Sequence, residues 1–112
     1  MARYILVAET ECADPSREEE FNEWYNNVHI VDLLKYPGMV QAVRYKNLDP
    51  EVNEQPKYLA IYEIEADDID KVDAAIIADR PRLKASGRGS NLIKPVRRRY
   101  YKQIMAPKKA GH

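Results

Sequence analysis

Three residues in the stretch FNEWYNNVHIVDLL have the types and spacing to do chemistry: Tyr25, His29 and Asp32. At i, i+4 and i+7 they form one line along a helix. Imidazole has its ordinary pKa near neutral pH, so His29 is the candidate general acid or base. A carboxylate beside it would fix the tautomer and favour the protonated ring, which is the role open to Asp32. Tyr25 could hydrogen-bond a carbonyl or phenolate oxygen. The same residues also suit a structural histidine hydrogen-bonded at the edge of a core, with Asp32 holding a backbone amide or a basic side chain. A metal site is not expected. His29 and Asp32 supply two ligands, the other histidine is His112 in the tail, and a site needs three or four.

These residues must be placed by a helix. On a wheel of about 100° per residue, Phe21, Trp24, Tyr25, Val28, Val31 and Tyr36 share one arc. Asp32 falls near the middle of that arc and His29 at its edge. Glu23, Asn26 and Asn27 lie opposite. Ile30, Leu33 and Leu34 fall outside, so the helix end is expected to meet something else, a partner chain or the C-terminal tail. Phe21, Trp24, Tyr25 and Val28 would wall a pocket, with Tyr4, Leu6, Tyr58, Ala60 and Tyr62 opposite. Such a wall suits a flat or aromatic small molecule. Tyr62 shares the hydrogen-bonding role of Tyr25, and Arg44 could stabilise an enolate or carboxylate. The tyrosines fit a core or interface equally well, and Arg44 fits a salt bridge at a sheet edge.

The remaining elements follow from pattern. RYILVAET (Arg3 to Thr10) reads as a strand buried on both sides. Ser16 and Glu19 form an S-x-x-E capping box ahead of the helix, which should run to about Tyr36 and stop at Pro37-Gly38. Met39 to Leu48 is a strand, 49–56 a polar loop, and Lys57 to Ala66 the clearest strand, with strict alternation. A second helix is expected from about Asp68 to about Asp79, continuing irregularly past Pro81, and a last strand from Val96 to Ile104. The order β-α-β-β-α-β is the ferredoxin-like plan: an α+β fold with a four-stranded antiparallel sheet and two helices on one face. Residues 1–106 form one domain and 107–112 a flexible tail. Every strand is apolar on both sides, so the open sheet face is expected to pack on a second copy.

Composition sets bounds. The chain has 112 residues, 45% of them apolar, and 18 charges of each sign. A balanced net charge gives no global attraction to nucleic acid or an anionic membrane. In RRRYY, Arg97 and Arg99 share one side of a strand and Arg98 the other, which splits the basic patch. GRGS (Gly87–Ser90) lacks the length and strand-to-helix context of a phosphate loop. Cys12 is the single cysteine, has no recognisable base beside it and reads as inert. No run is long enough to span a membrane, and a cytoplasmic protein is expected.

EEEFNEWYNNVHIVDLLKYPGMVQAVRYK resembles the first helix and second strand of EthD-like proteins of the dimeric α/β-barrel superfamily. The matching positions are Trp24-Tyr25, His29, Leu33-Leu34, Pro37-Gly38, Ala42 and Arg44-Tyr45. Val31 stands where relatives often have proline, so the helix here should be less kinked. The resemblance implies a ferredoxin-like monomer that dimerises through the open sheet face into a barrel, with a pocket between helices and sheet. The superfamily includes cofactor-free monooxygenases, polyketide cyclases, lactone isomerases and haem-handling enzymes. The combined expectation is a homodimeric enzyme without cofactor or metal, His29 moving a proton on a small aromatic or polyketide-like molecule as a cyclase, isomerase, dehydratase or lyase. A cofactor-free monooxygenase and a non-catalytic carrier of a hydrophobic ligand are the alternatives.

Overall fold

The computed structural model of the chain describes residues 1–49 and 56–112. The expected loop over 49–56 lies mostly outside the described residues. Four strands, β1 (Ala2–Cys12), β2 (Met39–Lys46), β3 (Tyr58–Ala66) and β4 (Ile93–Lys102), form one antiparallel sheet in the order β2-β3-β1-β4. The helical layer comprises α1 (Glu18–Trp24), a π-helical segment (Tyr25–His29), α2 (Ile30–Leu33) and α3 (Ile69–Ala85). This is the ferredoxin-like α+β fold.

The alternation in β3 decides which side is covered. Tyr58, Ala60, Tyr62, Ile64 and Ala66 are all buried, and the intervening residues only partly so. The helices supply Phe21, Tyr25, Leu33 and Ile76 to the same core, against Leu6, Tyr62 and Ile64. Each such large apolar side chain contributes about 1.5–3 kcal/mol by leaving water. On the other face, register aligns Val43, Ile61 and Val7 in one row, Tyr45 and Leu59 in the next, and Ile5 with Tyr101 in a third. Val43, Tyr45 and Tyr101 are 45%, 53% and 46% exposed there, so the sheet has an uncovered apolar face.

The first helix departs from the wheel at one place. The Ile30 amide donates to the Tyr25 carbonyl, five residues back, across the π-helical segment. One extra residue in a turn sets every later position back by about 100°. Leu33 then takes the inward direction the regular wheel gave to Asp32, Asp32 moves to the edge of the arc, and Val31 turns outward. That is the observed order: Leu33 joins the apolar core, Asp32, 9% exposed like Leu33, reaches a charged neighbour, and Val31 is 43% exposed. Leu33 therefore meets this chain's own core.

Other boundaries also shift. Ser16 does not cap the helix. Asp14 Oδ1 accepts from the Ser16 amide (3.1 Å) and hydroxyl (2.7 Å), capping the 3₁₀ turn Pro15–Arg17 instead. A short cap across the Pro15 turn replaces the reach to Glu19. α3 continues regularly through Pro81 to Ala85, where the exposed face tolerates the missing amide. β4 begins at Ile93, with Pro95 opposite Thr10 beside a register shift on an edge strand, where proline is admissible. Cys12 ends β1, buried, its thiol donating to the Asp14 carbonyl at 3.1 Å. Gly38, at φ +95°, closes the first helical unit; a Cβ there would lie 2.9 Å from the Glu65 carbonyl oxygen.

Candidate active site around His29

The π-helical segment carries Tyr25 and His29 on its two ends and so brings both against Trp24. The imidazole stacks on the Trp24 ring, with centroids 4.9 Å apart and planes 24° off parallel. Tyr25 meets it edge-on at 4.8 Å and 78°. Trp24 and His29 are partly buried, while Tyr25 is 1% exposed. Burial holds the His29 pKa down at about 4, against an upward pull from Asp32 and further downward pushes from Arg44 and Arg80. Desolvation outweighs the carboxylate, so the ring is neutral near pH 7. None of the hydrogen bonds found among the described residues involves its two nitrogens.

Asp32 is held by another residue. Arg88 Nε donates to both its oxygens, at 3.0 and 2.8 Å, and Lys35 Nζ lies 3.8 Å away. The Arg88 hydrogen bond holds the Asp32 carboxyl below the usual range. Its influence on His29 is through space. The Arg88 carbonyl also accepts from Trp24 Nε1 at 2.9 Å.

Arg44 enters from β2 beneath the helix. Its guanidinium lies 4.1 Å from the Tyr25 ring centroid, 5.2 Å from Tyr58 and 5.7 Å from Phe21. Nη1 and Nη2 donate to Asn26 Oδ1 (2.9 Å) and Asn22 Oδ1 (3.0 Å). No carboxylate pairs with it among the described residues, and its Nε is buried without a partner. The Tyr62 hydroxyl is likewise buried, with the Tyr25 hydroxyl as its polar neighbour. Burial pushes both tyrosines up, so each keeps its proton near neutral pH.

The candidate residues thus divide. Trp24, Tyr25 and His29 form one ring cluster, with Arg44 on the Tyr25 face and Tyr62 behind it. Phe21 is wholly buried, and Phe21, Tyr25, Tyr58, Ala60 and Tyr62 fill the space beneath the helix with their own side chains. Val28 is partly buried. The pocket expected between these residues is therefore closed by their own packing, and His29 is open only on its outer, partly exposed side. A cleft of about 250 Å³ opens nearby, lined by Asp32, Tyr36, Asp79, Arg82 and Arg88 among others, and a cavity of about 430 Å³ lies at the sheet end between Tyr4, Tyr101 and Met105. Arg88, Asn22 and Asn26 were not legible as site residues. Arg88 sits 56 positions from Asp32, and its only local mark is a glycine on either side. Among the described residues no cluster of His, Cys, Asp and Glu could hold a metal ion, and no helix is long and apolar enough to cross a membrane.

A family model described as a domain of unknown function, DUF4286, matches residues 4–106. The chain belongs to that family. Core atranone cluster protein 1 of Stachybotrys chlorohalonatus is 39% identical over 62 residues, which are 54% of this chain and 26% of the relative. The chain therefore spans about a quarter of the length of that relative. HapK from Hahella chejuensis shares the fold with a TM-score of 0.66 at 16% identity, over 96% of this chain and 99% of that one. An EthD family protein from Bacillus halodurans does so at 0.57 and 13%, over 93% and 100%. SnoaB, a cofactor-independent oxygenase from Streptomyces nogalater, does so at 0.56 and 12%, over 99% and 97%. At these identities the likeness to the three structures is one of fold. The EthD-like resemblance read between Phe21 and Tyr45 has its counterpart in this DUF4286 fold.

Proposed function

We propose that this chain is a cofactor-independent enzyme of small-molecule metabolism in which His29 transfers a proton on a small aromatic or polyketide-like substrate. The observation that carries the reading is the state of His29: a neutral imidazole, stacked on Trp24, with no hydrogen bond to the protein among the described residues. With no protein partner, its nitrogens are left to water or to a bound molecule on its partly exposed side. The relative named for the atranone cluster supports the coarser part of this reading, small-molecule metabolism.

The chemistry follows from charge. A ring with a pKa near 4 is a weak base while it faces neutral surroundings. An oxyanion forming on the substrate beside it compensates the imidazolium and raises its basicity as the proton moves. Asp32 acts in the same direction. Tyr25 and Tyr62 are buried out of a substrate's reach, Tyr25 fixing the imidazole edge-on, and the Arg44 charge behind the Tyr25 face favours the developing enolate or phenolate oxygen. Trp24 and Val28 form the apolar wall, with Phe21 setting the position of Tyr25 from within. Cyclisation, isomerisation, elimination and bond cleavage all begin with this step. The apolar open face of the sheet is covered by a second copy, completing a homodimeric barrel.

The test is turnover on a panel of phenols and enolisable polyketide-like compounds by wild type and His29→Gln. A loss of about 10²-fold with the fold intact supports the reading, and equal turnover removes it. The likeness to a cofactor-independent oxygenase favours a second reading, oxygenation of an electron-rich aromatic. That reading requires oxygen uptake by the purified protein with such a substrate. Carriage of a hydrophobic ligand without turnover is the remaining one, and it requires ligand binding that His29→Ala leaves unchanged.

A further inference from the structure

The loop over 86–92 touches the His29 cluster twice through one residue. The Arg88 carbonyl accepts from Trp24 Nε1, and the Arg88 guanidinium grips both oxygens of Asp32. Trp24 and Asp32 stand on either side of His29 along the helix, five residues before it and three after. Gly87, at φ +78°, and Gly89 flank Arg88, and a Cβ on either would meet nothing within 4 Å. Leu92 anchors the far end of the loop in the core, and the tip around Arg88 is seated by these polar contacts. We infer that Arg88 is a positioning residue, a latch that sets the orientation of Trp24 against His29 and screens the Asp32 charge from the imidazole. The inference rests on the reading of His29 as the proton-transfer group.

The electrostatic half of the latch has a definite sign. Three charged groups act on His29: Asp32 from its own helix, Arg44 from β2 and Arg80 from α3. Asp32 is the single anion of the three, and Arg88 and Lys35 pair with it. Removing the Arg88 side chain leaves the imidazole facing a carboxylate screened by Lys35 alone, which favours the imidazolium. Removing the Asp32 charge does the opposite. The backbone half is read by Trp24, the chain's only tryptophan, whose emission reports its own indole environment.

The experiment is an NMR titration of the His29 imidazole with Trp24 fluorescence, in wild type, Arg88→Ala, Arg88→Lys and Asp32→Asn, without substrate. Arg88→Ala should raise the His29 midpoint by about half a pH unit or more and shift the emission to the red. Asp32→Asn should lower the midpoint while shifting the emission the same way, because it also frees the loop. Arg88→Lys, which keeps the charge and loses the fork, should return the midpoint towards wild type. Loosening alone would hydrate the ring and raise the midpoint in both Arg88→Ala and Asp32→Asn, so midpoints that move together overturn the screening role. Unchanged emission in Asp32→Asn overturns the latch, and it decides the matter even should Arg88→Ala fail to fold. Both readouts are independent of turnover, so an inert His29 would refute the proposed activity and leave the latch standing.

Discussion

Lowering the pH from 7 to 5 is expected to cost the folded chain about 2 kcal/mol through His29 alone. The ring's pKa falls from 6.5 in the unfolded chain to about 4 in the fold, chiefly by burial. Below pH 6.5 the unfolded chain takes up a proton that the folded chain refuses, so stability is complete above pH 6.5 and is lost as the pH falls towards 4. The whole interval corresponds to at most about 3.5 kcal/mol, an upper bound because the ring is only partly buried. The depressed carboxyls do not interfere. The stabilisation from Asp32, and from Asp79 at about 2, is present above their ordinary value of 3.8 and is lost only below it. Urea unfolding at pH 7, 6 and 5, in wild type and His29→Gln, isolates the effect. With an m-value of about 1.5 kcal/mol/M, the wild-type midpoint should drop by up to about 1 M relative to the variant's own change. Parallel pH profiles for the two proteins would show that His29 is solvated, and would refute the burial argument.

Three further outcomes follow from the same geometry. Tyr62→Phe removes a buried hydroxyl whose polar neighbour is the Tyr25 hydroxyl, so urea unfolding should show a loss of no more than about 1.5 kcal/mol; a larger loss would reveal a further partner. Gly38→Ala combines a positive φ with a Cβ 2.9 Å from a backbone oxygen and should destabilise by more than about 1 kcal/mol, whereas a neutral result in thermal melts would show that the turn relaxes freely. Ile61→Glu places a charge in the middle row of the open sheet face; size-exclusion with light scattering should find the wild type dimeric and the variant monomeric, and a wild-type monomer would contradict the proposed barrel.

The fold was legible wherever period and polarity agreed. β3 alternates without exception, so its inner face of Tyr58, Ala60, Tyr62 and Ile64 could be read residue by residue. The helix 18–33 was legible as an element but not in phase, because nothing in its hydrophobic spacing announces an inserted residue at Tyr25–His29. That one shift turned Leu33 inward and sent Asp32 to Arg88. The cap was misread because Asp14, before Pro15, offers the nearer acceptor than the Ser16–Glu19 pair. β4 started early because an edge strand admits Pro95. At the site, Tyr25, His29 and Trp24 are neighbours on one helix, and local spacing was enough. Arg44 and Arg88 arrive from a strand and a loop far along the chain, and their roles depend on contacts that no local pattern encodes.

The central claim is that His29 exchanges a proton with a bound small molecule. The most direct measurement is the rate of deuterium incorporation from D₂O at the acidic carbon of an enolisable aromatic ketone, with wild type and His29→Gln compared at pH 7. Exchange accelerated by wild type and slowed about 10²-fold in the variant is the predicted result. Equal exchange with both proteins, while ligand binding is retained, would contradict it.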